Sequence, residues 1–293
     1  MSLATLHASA DGESALSPPV RWRGMVGVLG GMGPLAGASF VYRLTQLTPA
    51  VCDQAHLPVL LRNDPRIPDR TQAQLWGGAD PFPAMQEGMR FLDREGAACI
   101  AIPCNTAHLW FDRLQASVSA PVLHIADAVI ADLARQGVRG GKVGVMGTPA
   151  TLAAGLYQQR LVHAGYEPVL PTDAEMKTFS VAAIAAVKRN RFDQAAEPAT
   201  LGIQALARRG ARAVVLGCTE LPLAVPHALR ADFDLVLTDS IDALALAVID
   251  HMRLSTSTRR DHANGALVSA SFGAVENLST GRALGTANLA EDW

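Results

Sequence analysis

The chain has 293 residues, 49% of them hydrophobic and 18% charged, with a formal net charge of −2. That is enough apolar material to bury a core in one large or two small domains. The balance excludes the basic footprint of a nucleic-acid binder and the polybasic patch of an anionic-membrane binder, and no run of about 18 apolar residues is present to span a bilayer.

In chain order, the first twenty residues carry Asp11 and Glu13, no Lys or Arg, and no long apolar block. Residues 1–22 therefore read as a loose extension rather than a secretory leader. Short β-rich runs then alternate with longer helical ones, the pattern of βαβ units and a parallel sheet. Strands are predicted at Met25–Leu29, Leu57–Leu61, Ala98–Ile102, Val143–Met146, Ala213–Leu216 and Asp234–Leu237. Helices are predicted at Leu35–Leu47, Pro83–Arg94, Thr151–His163, Val181–Lys188 and Ala195–Arg208. From about Ser255 the chain is rich in Ser, Thr, Gly, Asn and Ala with weak periodicity, which predicts a polar tail over 255–293.

An internal repeat organises these elements. Val26–Gly30 reads VGVLG and Val143–Gly147 reads VGVMG; each is an apolar run ending in Gly before a helical pattern. Further on, CIAIPCNTAH (Cys99–His108) is echoed by AVVLGCTELP (Ala213–Pro222). Gly27 lies 77 residues before Cys104, and Gly144 lies 74 before Cys218. Two echoes in the same order at nearly equal spacing predict duplicated α/β halves related by a pseudo-twofold axis. The expected division is a first domain of 24–125 plus 238–254 and a second of 126–237, each with a parallel sheet flanked by helices and with the site in the cleft between them.

The four cysteines, Cys52, Cys99, Cys104 and Cys218, form no C-x-x-C pair and are too scattered for a disulfide framework. They read as thiols of a reducing compartment, which predicts a cytoplasmic protein. Cys99 lies inside a strand and reads as a small buried hydrophobe, and Cys52 as inert in a polar surface stretch. Cys104 and Cys218 differ: each directly follows a strand, where parallel α/β sheets gather functional groups. Helix-start N–H groups there are expected to favour a thiolate. Two opposed thiols suit inversion of a stereocentre that bears hydrogen. One removes the proton from one face, the other returns a proton to the opposite face, and the roles exchange in the reverse direction. Backbone N–H groups and polar side chains in a dry cleft would stabilise the carbanion-like transition state.

Other signals are weaker. Gly31-Met32-Gly33-Pro34-Leu35-Ala36 matches a dinucleotide fingerprint, but the candidate acid Asp53 precedes the second strand and Pro34 removes a backbone donor. The run reads better as a glycine-rich wall that lets backbone approach a substrate. His108, four residues after Cys104, lacks the companions of a metal site and reads as a packed or supporting histidine. No nucleophile elbow or P-loop is present.

The segments GVLGGMGPLAG (Gly27–Gly37), NDPRIPDRT (Asn63–Thr71), PCNTAH (Pro103–His108) and GCTELPL (Gly217–Leu223) together resemble the aspartate/glutamate racemase superfamily, most closely its aspartate racemase branch, over about residues 24–252. The resemblance implies catalysis without pyridoxal phosphate or metal, a small amino-acid substrate, and a homodimer. It implies that Cys104 and Cys218 are the proton donor and acceptor, and that Asn105, Thr106 and Thr219 grip the substrate carboxylate and amine. It adds Met32, Gly33, Asn63 and Glu220 to the substrate-binding set. Arg70 corresponds to a family arginine that binds substrate carboxylate, which a guanidinium fits bidentately. Lys188 falls where aspartate racemases carry a lysine at the site. Read without the family, Arg70 is a solvated loop cation and Lys188 a surface lysine at a helix end. Both cysteines being present disfavours relatives with one. Aspartate is the first-choice substrate. Glutamate, broad-specificity or hydantoin racemisation and maleate-type isomerisation are alternatives within the superfamily. A non-enzymatic two-lobed binding protein is the alternative outside it.

Overall fold

The computed structural model describes residue 22 and residues 24–253. The expected extension before residue 22 and the tail from 255 lie outside the described residues. Within them are eight strands: β1 Met25–Gly30, β2 Val59–Asn63, β3 Ala97–Ala101, β4 Val122–Leu123, β5 Gly141–Gly147, β6 Tyr166–Val169, β7 Ala213–Gly217 and β8 Val236–Asp239. They form two four-stranded sheets, ordered β2-β1-β3-β4 and β6-β5-β7-β8. Every pairing is parallel. The two sheets thus repeat one topology, and the echoed sequence runs occupy equivalent strands: β1 matches β5, and β3 matches β7. This is the α/β architecture of two flanked parallel sheets that the repeat predicts.

The period-2 alternation of side chains sorts the strand residues into layers. Val26 and Val28, Cys99 and Ala101, Val143 and Val145, and Ala213 and Val215 all enter one apolar cluster. Ile125, Val129 and Leu133 of the Ile125–Arg135 helix join it, as do Leu244, Val248 and Met252 of a helix over 240–253. One core is therefore common to both sheets. The alternate residues face outward layers that belong to one half each. Leu29, Ile100 and Ile102 pack with Met85, Met89 and Leu92 of the Phe82–Arg94 helix. Met146, Val214 and Leu216 pack with Val187 and Ile203 of the Ala182–Lys188 and Phe192–Arg208 helices. Strands buried on both faces explain the near-continuous apolar runs of β3 and β7.

Local chemistry sets the ends. Pro34 opens the Pro34–Leu47 helix at a position where its missing N–H costs nothing, and Ala36, Gly37, Phe40 and Leu44 form its buried stripe. The helix expected over Thr151–His163 is two pieces, Pro149–Ala153 and Gln158–His163. Gly155 between them has φ +70°, a left-handed conformation that ends a helix and that glycine adopts without strain. The helix carrying Lys188 is entered through a π-helical turn, Met176–Val181, a local widening often found near functional sites. Asp132 accepts hydrogen bonds from Thr238 Oγ1 (2.9 Å) and Gln136 Nε2 (2.6 Å), tying the Ile125–Arg135 helix to β8.

Candidate active site

Cys104 and Cys218 lie just beyond the carboxyl ends of β3 and β7, the equivalent strands of the two sheets. Both are nearly buried, at 5% and 6% exposure, so water has little access to either thiol. One side chain relates the two segments. Tyr157, fully buried, donates its hydroxyl to Asn105 Oδ1, one residue from Cys104. Its ring lies so close to Gly217, one residue from Cys218, that a Cβ there would meet Tyr157 Cε2 at 2.8 Å. Burial, with the nearby Cys218 as a further cause, pushes the Tyr157 hydroxyl far above its ordinary value, so it remains a proton donor.

The Cys104 side is stitched both to the final helix and to the second half. Asn105 Nδ2 donates to Ser240 Oγ at 3.0 Å, at the start of the 240–253 helix. Thr106 Oγ1 lies 2.9 Å from Thr148 Oγ1 and 3.0 Å from Thr151 Oγ1, which are themselves 2.9 Å apart. The side chains of Asn105 and Thr106, expected to grip substrate, are thus also engaged in joining the halves. Behind them, buried His108 accepts the Ile125 N–H at Nε2 (3.1 Å). Its proton therefore resides on Nδ1, which donates to the Cys104 carbonyl at 2.8 Å. Burial lowers the His108 pKa to about 4, which keeps the ring neutral. The expected supporting role fits this geometry.

The Cys218 side has different chemistry. Cys218 Sγ donates to Glu220 Oε2 at 2.9 Å, and Thr219 Oγ1 donates to the same oxygen at 3.4 Å. Glu220 is buried, and a Cβ on Gly33 would lie 3.2 Å from its Oε1. The glycine-rich run after β1 therefore abuts the carboxylate of the other half. The expectation that helix-start N–H groups favour a thiolate is corrected at Cys218. Burial first, and then the charge of Glu220, pushes this thiol well above its usual range; Lys188 opposes them. The helix that follows, Leu221–Ala224, has only four residues, too short to outweigh a buried carboxylate.

Met32 joins Cys104 and Ile67 in one apolar cluster. Arg70, near Ile67 in sequence, is only 8% exposed. Its Nη1 donates to the Pro68 carbonyl at 2.9 Å, its buried Nε has no hydrogen-bond partner, and among the described residues no carboxylate pairs with it. A solvated loop cation would not be so placed; a buried guanidinium with an unmet donor is suited to an anionic ligand. Asp69 accepts the Thr71 and Gln72 N–H groups at 2.8 Å each, starting the Arg70–Trp76 helix. Lys188 Nζ, half-exposed, stands 4.0 Å from Asp69 Oδ2. Lys188 therefore lies beside the Arg70 turn, and its charge acts on Cys218. Asn63 is more peripheral: it is exposed, and its Nδ2 donates to the Pro34 carbonyl at 3.1 Å.

The other cysteines are apart from this cluster. Cys99 is buried in the common core, where burial pushes its thiol up to about 12, and Cys52 is exposed. Among the described residues, His227, Asp239 and Asp242 place potential metal-ligand atoms within 4.8 Å of one another. Arg43 already pairs with Asp242 and Arg230 with Asp239, each at 2.6 Å, so the group is an ion-pair network. Sequence reasoning missed Tyr157 and Ser240. Tyr157 read as one more apolar residue of a helical run, and only its place in the second half's turn after β5 marks it out.

Comparison with known proteins agrees with this arrangement. The aspartate racemase of Picrophilus torridus superposes with a TM-score of 0.69 at 31% identity, covering 78% of this chain and 94% of that one. An aspartate racemase homologue from Pyrococcus horikoshii OT3 superposes with a TM-score of 0.63 at 25% identity, over 79% of this chain and all of that one (100%). The broad specificity amino-acid racemase RacX of Bacillus subtilis (strain 168) is 25% identical over 231 residues, 77% of this chain and 96% of the relative. The family model described as Asp/Glu/Hydantoin racemase matches residues 29–248. With its two like sheets and most of its length inside that match, the chain belongs to the Asp/Glu/hydantoin racemase family, a family of isomerases.

Proposed function

We propose that this protein racemises an amino acid, with aspartate as first-choice substrate, using Cys104 and Cys218 as a two-base pair without pyridoxal phosphate or metal. The observation that carries the reading is the placement of the two buried thiols at the ends of equivalent strands, linked through Tyr157. In one direction the Cys218 thiol, kept protonated by burial, gives its proton to one face of the α-carbon. The thiolate of Cys104 has taken the substrate proton from the other face. In the reverse direction Cys218, left as the thiolate, takes the proton from its face while the Cys104 thiol returns one to the other; Glu220, 2.9 Å from Cys218, holds the thiol form by accepting its hydrogen bond. Each turnover leaves the summed proton count of the pair unchanged. Lys188 and Arg70 offset the charge that develops as the α-proton leaves. Arg70, with its unmet donor, takes the substrate's side-chain carboxylate, which favours an acidic amino acid. Low exposure of both thiols favours proton return from the enzyme over exchange with water.

A wider substrate range is the second reading, favoured by the likeness to the broad specificity racemase over nearly all of that relative. The test is incubation with L-aspartate, L-glutamate and neutral L-amino acids in deuterated water without added cofactor. NMR follows α-hydrogen exchange and chiral chromatography follows the D-isomer. The proposal expects D-aspartate with deuterium at Cα. Equal turnover of neutral amino acids would remove the role given to Arg70, and absence of inversion with every amino acid would overturn racemisation.

A further inference from the structure

A cavity of about 430 Å³, lined in part by His108 but by neither Cys104 nor Cys218, draws its walls from both halves of the chain. The first half contributes Trp110, Phe111 and His124; the second contributes Leu156 and Arg160. The hydrogen bonding at its wall is incomplete in an informative way. His124 Nδ1 accepts the Ala126 N–H at 3.1 Å and so caps the Ile125–Arg135 helix. A neutral imidazole that accepts at Nδ1 carries its proton on Nε2. That Nε2 lies 2.9 Å from Arg160 Nη2, which is also a donor. The other tautomer only moves the conflict, because it sets Nδ1–H against the Ala126 N–H. Protonating the ring would set a cation against the guanidinium, and burial, His108 and Arg160 together hold the His124 pKa down to about 2. Two donors therefore meet at the cavity wall with no acceptor between them.

Arg160 is held in this position by other groups. Its Nε donates to Asp127 Oδ1 at 2.6 Å and its Nη1 to the Leu156 carbonyl at 3.2 Å, which leaves Nη2 for a partner in the cavity. Asp112, Arg113 and Gln159 also line the cavity, and part of its wall is aromatic: the Phe111 and His124 ring centroids are 4.5 Å apart, and Phe111 stacks on His108 with centroids 5.9 Å apart.

We propose that this cavity is a second ligand site, separate from the thiol pair, that takes a small carboxylate with an apolar body. A carboxylate oxygen accepts from both His124 Nε2–H and Arg160 Nη2–H, and the apolar body lies against Trp110, Phe111 and Leu156. Charge-assisted bonds of this kind are the strong ones, and each one lost is worth about tenfold in affinity.

The probe is benzoate, titrated into the whole protein by calorimetry, so the measurement does not depend on turnover. His124→Asn retains a side-chain acceptor for the Ala126 N–H but removes the donor facing Arg160. Arg160→Leu removes the second donor from a different helix. Thermal melting establishes that each variant is folded. The proposal expects saturable benzoate binding that weakens about tenfold or more in each variant and persists in saturating aspartate. Three outcomes would overturn it: no saturable binding to the wild-type protein, binding indifferent to both substitutions, or displacement of benzoate by aspartate, which would assign it to the thiol cleft.

Discussion

The ends of β3 and β7 are the same place in two copies of one topology, yet they are furnished differently. At Cys104 the neighbours are neutral: an amide, a set of three threonine hydroxyls and an uncharged imidazole behind the carbonyl. Among the described residues, no side chain hydrogen-bonds to its Sγ. At Cys218 a buried carboxylate accepts from the thiol. The repeat supplies two thiols at matched positions, and Glu220, two residues after Cys218, raises the proton affinity of that thiol. In the proposed two-base reaction that local difference separates two thiols that the scaffold alone would make alike.

The most damaging test of this comparison removes each thiol in turn. Cys104→Ala and Cys218→Ala should each lower racemisation by about a hundredfold or more, the usual worth of a positioned acid or base. In deuterated water the two variants should differ in which enantiomer still exchanges its α-hydrogen. If both retain exchange of the same enantiomer, the thiols do not serve opposite faces.

His108 gives a stability test of the Cys104 side. Its folded pKa is about 4 against an ordinary 6.5. Between those values the unfolded chain binds a proton that the folded ring does not, so stability is full above the upper value and is lost as pH falls through the window. The contribution is about 3 kcal/mol between neutral pH and pH ~4. His108→Gln does not titrate, so its unfolding free energy, followed by urea denaturation across that range, should fall by about 3 kcal/mol less than that of the wild type.

Glu220→Gln would remove the charge that distinguishes the Cys218 side. Losing one charged hydrogen bond should cost about tenfold to a hundredfold in the direction where Cys218 is the base. Because Glu220 raises the Cys218 pKa, the alkaline limb of the rate profile in the opposite direction, where Cys218 is the acid, should move to lower pH. An unmoved limb would mean that the carboxylate does not govern this thiol.

The smallest effect belongs to the group shared by both sides. Tyr157→Phe keeps the ring against Gly217 and loses only the bond to Asn105. It should lower kcat about fivefold and the melting temperature by a few degrees, with KM nearly unchanged, since a neutral hydrogen bond is worth about 1 kcal/mol. A rise in KM without a fall in kcat would place Tyr157 on substrate binding instead.

Much of this was legible before any coordinates. The Gly-terminated runs at Val26–Gly30 and Val143–Gly147 mark β1 and β5, and the runs ending in Pro-Cys and Gly-Cys mark β3 and β7, because strands buried on both faces leave nearly unbroken apolar sequence. β4 was not legible, since two residues carry no periodicity. β6 contains Pro168, which demotes a run from strand, and it sits at the edge of its sheet, where proline is tolerated. The Ile125–Arg135 helix escaped because its exposed stripe, Asp127, Ala131 and Arg135, carries only two charges and its buried face includes a charged residue, Asp132, which blurs the apolar pattern. In the site, the cysteines were readable from the repeat. The burial of Arg70 and the bridging by Tyr157 depend on contacts between distant segments that spacing does not encode.

The step before each thiol is where the two copies can no longer be exchanged. Pro103 precedes Cys104, whereas Gly217 precedes Cys218. A Cβ at 217 would come within 2.7 Å of the Met146 carbonyl oxygen and 2.8 Å of the Tyr157 ring. The tyrosine that spans the two strand ends thus occupies the volume that a proline in the second copy would need. A chain assembled from two first halves would have matching thiols but no tyrosine between them. At this step the two halves, for all their shared topology, are not interchangeable.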